Sequence, residues 1–213
     1  MKAQLLLAMG AVSVQLMLSC SKQSEPPRTQ NPTVNTEPQH KVLNLDPQAL
    51  LNGIRKNLKL DPQNASLHGQ AASLYDSVDD FKSFEREIQI AMRLDPGNPM
   101  DYYIAYAVYK RRHLREKQAS ALETALKLDP ANPFGHYQKA GMSENDKDWQ
   151  NALEEYRATQ EFLQRVVQSD PHNFQNNHWM YVDKRGNPFD VTYEESHIAD
   201  DISRIRRAMQ DRK

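Results

Sequence analysis

The chain of 213 residues has a single cysteine, Cys20, and only seven glycines. One cysteine excludes an intrachain disulfide and any multi-cysteine zinc site. So little glycine disfavours glycine-rich phosphate loops, and no Walker loop, dinucleotide fingerprint, nucleophile elbow or zincin motif is present. Charge of neither sign dominates, with 27 basic against 28 acidic residues, so bulk charge does not draw the chain to nucleic acid. His172 and His178 stand six apart, which fits no common metal spacing. Glu154-Glu155 and Glu194-Glu195 are adjacent on expected helices and point apart, as solvated faces do. No metal, no cofactor and no enzymatic activity are expected. What is present is 38% apolar residues, enough for a core in one or two domains.

The first twenty residues, "MKAQLLLAMGAVSVQLMLSC", set one positive charge before an apolar run that closes on Ser19 and Cys20. This is signal-peptide anatomy. A spanning anchor is the alternative, but Gln4 and Gln15 interrupt the roughly 20 apolar residues that spanning needs. A small residue directly before cysteine resembles the bacterial lipoprotein signal, although Met17 and Leu18 stand where that family carries leucine and a small residue. The resemblance implies cleavage after residue 19 and lipid on Cys20. Residues 21–41 hold four prolines, no aromatic residue and one strongly apolar side chain, Val34. They cannot bury enough surface to offset ordering, and read as a spacer reaching at most about 60 Å.

"LDPQN" at 60–64, "LDPGNP" at 94–99 and "LDPANP" at 128–133 place Pro62, Pro96 and Pro130 at intervals of 34 residues. Leucine closes one helix, Asp-Pro cannot continue it, and asparagine can cap the next, with proline at its first position in two copies. Each phrase is a stop joined to a start. A period of 34 is the helix–turn–helix interval of the tetratricopeptide repeat. The residues between the linkers resemble that family. Tyr75, Ile88, Ala91 and Pro96 fall on its aromatic, large apolar, small and proline positions. Tyr109, Leu122, Ala125 and Pro130 repeat them, Tyr102 replaces its tryptophan, and Ala152 and Tyr156 continue the pattern. Ala71-Ala72 and Ala105-Tyr106 replace its Leu-Gly, and His136 sits at a bulky packing position. The resemblance implies an all-α, right-handed α-solenoid of about three helix pairs.

Before the first full unit, residues 46–62 read as one capping helix with Leu50, Ile54 and Leu58 on one stripe. The fourth linker, "SDPHN" at 169–173, comes seven residues late, and Asp148 to Gln168 contains neither glycine nor proline. One long helix is expected there, with Leu153, Tyr156, Leu163 and Val167 along its apolar stripe. Residues 178–193 then change character. Aromatic and β-branched residues flank Lys184-Arg185-Gly186-Asn187, which reads as a β-hairpin or a wrapping loop, Pro188 weakening the second strand. Thr192 and Glu195 can form a capping box. Ile198, Ile202, Ile205 and Met209 make a helical stripe opposite Arg204, Arg206 and Arg207, as expected of a closing cap. The divisions are thus 1–19 signal, 20–42 lipidated cysteine and tether, 43–173 solenoid, and 174–213 hairpin or loop plus capping helix.

Members of this family commonly bind peptides or partner helices on the face lined by the first helix of each pair. Carried over residue by residue, those positions are Ser66, Gly69, Ser73 and Asp76, then Met100, Tyr103, Ala107, Lys110 and Arg111, then Phe134, Tyr137 and Gly141. Gly69 and Ser73 replace the Lys and Asn of the subgroup that grips terminal carboxylates. Tyr103, Phe134 and Tyr137 are the expected aromatic anchors, beside "KRRHLREK" at 110–117 with five basic residues and one acid. An acidic or aromatic partner segment would dock against Met100, Lys110 and Arg111; the alternative for the charge run is a solvated turn. The expected function is a protein-binding scaffold tethered in the bacterial envelope, facing the periplasm from the outer membrane. Secretion or inner-membrane anchoring are alternatives of location. Three rival functions stand beside it: a cell-wall or carbohydrate binder using exposed tyrosines, an enzyme built around His178, Trp179 and Tyr181, and a self-stacking structural unit.

Overall fold

A computed structural model of the chain describes residues 46–169, 179–186, 188–191 and 195–211. The expected signal 1–19, Cys20 and its tether lie outside those residues, as do His172, His178, Asn187 and Thr192. The chain divides into two compact units, the first ending at Glu87 and the second beginning at Ile88.

In the first unit, α1 (Pro47–Leu60) starts where the Asp46 carboxylate accepts from the Gln48 and Ala49 amides, with Pro47 supplying a preset first position. Its Leu51 and Ile54 are buried, Leu50 and Leu58 are half-buried, and it packs on α2 (Ala65–Ser77), while Leu60 at its end is exposed. Arg55 ties the pair, donating to the Tyr75 hydroxyl at 3.1 and 2.9 Å and lying over its ring. α3 (Phe81–Leu94) opens on Asp80, whose carboxylate accepts from the Ser83 amide. The division between the units falls within this helix.

The second unit continues with α4 (Pro99–Arg111) packed on α5 (Arg115–Leu128), and α6 (Pro133–Asn145) packed on α7 (Trp149–Ser169). The succession of paired helices is the all-α architecture that the repeat pattern implies. α7 runs for 21 residues where α5 has 14, so its last turns extend past the pair. Gly135 permits a close approach, since a Cβ there would collide with the Tyr103 hydroxyl and the Leu126 side chain.

The segment that reads as a hairpin or a wrapping loop forms a hairpin. β1 (Trp179–Val182) pairs antiparallel with β2 (Pro188–Val191), in the register Trp179↔Val191 through Val182↔Pro188. Pro188 is tolerated because it is the first residue of its strand. Gly186, at φ 84°, turns the chain, its amide donating to the Asp183 carbonyl at 3.0 Å. α8 (Glu195–Gln210) then buries Ile198, Ile202 and Ile205 in one core with Ala140, Ala152, Leu153, Tyr156 and Leu163.

Each turn inside a helix pair holds one left-handed residue that is not glycine: Asp79, His113 and Lys147, at φ 59, 57 and 60°. They stand 34 residues apart, like the linkers. At each, two amides return to the end of the preceding helix, as when His113 donates to the Lys110 carbonyl and Leu114 to the Tyr109 carbonyl. Such a conformation costs a non-glycine residue about 1–2 kcal/mol, partly offset by the extra unfolded freedom of glycine. His113→Gly and Lys147→Gly are therefore each expected to stabilise the protein by about 0.5–1 kcal/mol. Urea midpoints measure this, and a loss of stability in both would contradict the strain.

Candidate functional site

The linkers between pairs are polar turns of one design. The Asn64, Asn98 and Asn132 amides donate to the carbonyls of Asp61, Asp95 and Asp129 at 3.4, 3.2 and 3.2 Å. Their side-chain oxygens cap α2, α4 and α6, accepting from Leu67, Met100, and Phe134 with Gly135. In the first and third turns the asparagine amide also reaches the aspartate, Asn64 to Asp61 at 2.9 Å and Asn132 to Asp129 at 3.1 Å. In the second it turns instead to Asp101 at 3.0 Å.

The exception has a cause. Arg185, at the tip of the hairpin, holds both oxygens of Asp95 at 3.0 and 2.5 Å. This bidentate bond keeps the Asp95 carboxyl below its usual range, against partial burial. Four residues earlier in the hairpin, the Tyr181 hydroxyl donates to Asp129 Oδ1 at 2.7 Å. Its ring meets Phe162 of α7 edge-on at 5.3 Å. The hairpin thus grips two successive linkers. Asp101, 3% exposed, lies at this clasp, and burial lifts its carboxyl to about 6 against the hydrogen bond from Asn98.

A second recurrent device joins linker to pair. His136 Nδ1 lies 2.6 Å from Glu155 and Nε2 lies 2.9 Å from the Pro130 carbonyl. His68 repeats this with Glu87 at 2.7 Å and the Pro62 carbonyl at 3.1 Å. In the middle unit Tyr102 donates to the Pro96 carbonyl at 3.4 Å, and Ala121 stands where a glutamate would be. His136 is therefore no metal ligand but a bridge between two acceptors, which favours a ring protonated on both nitrogens. The bond to Glu155 lifts the imidazole above its ordinary 6.5, opposed by burial. Burial raises Glu155, but its bonds to His136 and Lys139 outweigh this and lower it. The raised histidine contributes stability fully below pH 6.5, and the contribution fades as pH climbs through the folded value. Glu155→Gln is expected to bring the His136 NMR titration midpoint to 6.5 or lower, because burial then acts unopposed by charge. An unchanged midpoint would remove Glu155 as the cause.

The family's groove positions land unevenly. Tyr103 is wholly buried, packed edge-on against Phe134 at 5.5 Å, so it is core and not an exposed anchor. Phe134 is half-buried between Tyr103 and Tyr106. Tyr137 is half-buried and its hydroxyl donates to Asp201 of α8 at 3.4 Å; burial, with the charge of Asp201, pushes it up to about 12. Beside it Arg204 of α8 forks onto Glu144 at 2.8 Å. The chain's own C-terminal helix already occupies that aromatic. Met100, Ala107, Arg111 and Gly141 are half-buried, and Lys110 is exposed, donating to Gln138 at 2.8 Å beside the Tyr106 hydroxyl. In the first unit Gly69 and Ser73 are buried, Ser73 bonding the Gly69 carbonyl, while Asp76 is half-buried and Ser66 exposed. Of the run at 110–117, Arg115 pairs with Asp146 in the next turn and Lys117 lies over the Tyr109 ring.

The clasp by Arg185 and Tyr181 was not foreseen, for a hairpin gripping residues 90 and 52 positions away leaves no local pattern. The histidine bridges did leave one: His68 with Glu87 and His136 with Glu155 share a separation of 19 residues. Tyr181, named for an enzymatic alternative, serves the clasp, and the Trp179 side chain lies outside the described atoms. Among the described residues no three His, Cys, Asp or Glu side chains gather as metal ligands, and no helix is long and apolar enough to cross a membrane.

No protein-family model matches the sequence. No curated protein matches it either. Solved structures do. "MamA RS-1 ArsTM double mutant" is 20% identical over 56% of this chain and 67% of its own, with a TM-score of 0.50. "Crystal structure of MamA" is 14% identical over 78% and 91%, with a TM-score of 0.49. At such identity the first likeness speaks for the fold, a helical, tetratricopeptide-like succession.

Proposed function

We propose that the chain is a tethered protein-binding scaffold of the bacterial envelope. Lipid on Cys20 holds it to the outer membrane on the periplasmic side, residues 21–41 space it from the surface, and the helical domain recruits protein. The reading of Cys20 and the spacer rests on the sequence alone. The observation that carries the binding role is the polar, solvent-facing end of α4, where Lys110 is exposed and Arg111 and Arg112 follow it. It offers an acidic partner segment charge and hydrogen bonds without requiring a reactive centre.

Lys110→Glu with Arg111→Glu is expected to lower partner capture by the intact lipoprotein from membranes about tenfold or more. Parent capture should weaken between 50 and 500 mM salt, on the order of what screening of a surface contact allows. Quantitative mass spectrometry of the captured proteins reads both. Capture indifferent to charge reversal and to salt would sink this surface as the binding end.

A further inference from the structure

We propose that one side of α1 is a docking surface for a partner's amphipathic helix, apolar along one stripe and acidic along its flank. This adds a second surface to the scaffold reading and draws on neither Lys110 nor Arg111. The register of the repeat is its starting point. α3, α5 and α7 begin 34, 68 and 102 residues after α1, so α1 is itself a second helix. The helix it packs on, α2, is the first helix of the pair that follows.

In the three later copies, the stripe of the second helix that meets its own first helix is covered. Glu87, Ala121 and Glu155 share one position on it and are 6–8% exposed. Ala91, Ala125 and Thr159 share the next and are wholly buried, and Leu94, Leu128 and Phe162 follow half-buried. His68 of α2 and His136 of α6 reach across to this stripe at Glu87 and Glu155. At the same three positions α1 has Gly53, Asn57 and Leu60, all exposed, Leu60 at 80%. A Cβ added to Gly53 would meet nothing within 4 Å. The place of a first helix is therefore open on α1 among the described residues.

Chemistry decides what fits there. The sequence 34 residues ahead of α2, at 31–43, sets Pro38 at its middle, and proline breaks a helix interior. Lys56 borders the open stripe and Lys59 follows three residues on. Both are exposed, neither has an ion-pair partner among the described residues, and α1 contains no acidic residue. A second copy offering the same side would set these lysines against themselves. A foreign helix with a small or apolar stripe for Gly53 and Leu60, and carboxylates beside Lys56 and Lys59, satisfies both features.

The test offers the full chain two labelled helical peptides with the same leucine–alanine stripe, one flanked by glutamates and one by lysines. Fluorescence anisotropy is expected to show the glutamate peptide binding at least about tenfold tighter. Lys56→Glu with Lys59→Glu should abolish that preference, and Leu60→Asp should weaken the glutamate peptide about threefold or more. These side chains are exposed, so circular dichroism should show the fold unchanged. Equal binding of both peptides, or binding indifferent to these variants, would overturn the surface. A photoreactive benzoylphenylalanine in place of Gly53 then reports the occupant. A crosslink to the glutamate peptide supports the proposal. A crosslink to residues 20–45, to a second copy, or to phosphatidylglycerol vesicles in preference to the peptide would overturn it. Lys110→Glu with Arg111→Glu should leave peptide binding as it is, which separates failure here from failure of the capture test.

Discussion

Leu163→Ala is expected to cost about 3 kcal/mol, within the roughly 2–5 typical of a buried leucine. The side chain is wholly buried in the part of α7 that extends past the usual length of a second helix. It shares its core with Ile198, Ile202 and Ile205 of α8. Truncation removes apolar surface and leaves a void lined by β-branched residues that have few rotamers with which to fill it. The loss should fall on α8 first, because its apolar stripe has this core as its seat. Urea unfolding followed by far-ultraviolet circular dichroism gives the magnitude, and exchange over 195–210 gives the location. A cost under about 1 kcal/mol would mean that α8 is not anchored there.

The second large effect concerns Asp101. Its carboxyl titrates near 6 in the folded chain against 3.8 ordinarily, burial being the main cause. The folded state therefore holds this proton more tightly than the unfolded state. The contribution is full below pH 3.8 and is lost as pH rises through about 6. At neutral pH the buried anion then costs about 2–3 kcal/mol, as an order of magnitude. Asp101→Asn keeps an oxygen to accept from Asn98 and removes the charge. The substitution is expected to stabilise the protein by that amount at pH 7.5 and by roughly nothing near pH 4. Other carboxylates, such as Asp95 and Glu144, are lowered by arginine partners and work in the opposite direction, so the difference between variant and parent is the informative curve. A difference that stays flat with pH would refute the assignment to this residue.

Much of the helical plan was readable because it rests on local chemistry repeated at a fixed interval. Leu-Asp-Pro-x-Asn must end one helix and can begin another, and it does so at Asn64, Asn98 and Asn132. The long α7 and the stripe of α8 followed from missing breakers and from spacing. The face of α4 and α6 was less readable. Tyr103 falls on a family groove position, yet whether such a residue meets solvent depends on what the distant chain lays over it. Tyr137 likewise looked available until Asp201 and Arg204 of α8 were placed beside it. The left-handed turns escaped notice because Asp79, His113 and Lys147 stand where glycine would have announced them.

Arg185 and Tyr181 are four residues apart, and the aspartates they hold are 34 apart. The hairpin therefore works as a gauge, spanning one period and reading two successive junctions of the array. A further unit inserted ahead of Asp95 would leave those junctions and their fastening as they are. A change of even one residue between Asp95 and Asp129 would put the two grips out of step. Growth of such a protein is thus permitted on one side and policed on the other.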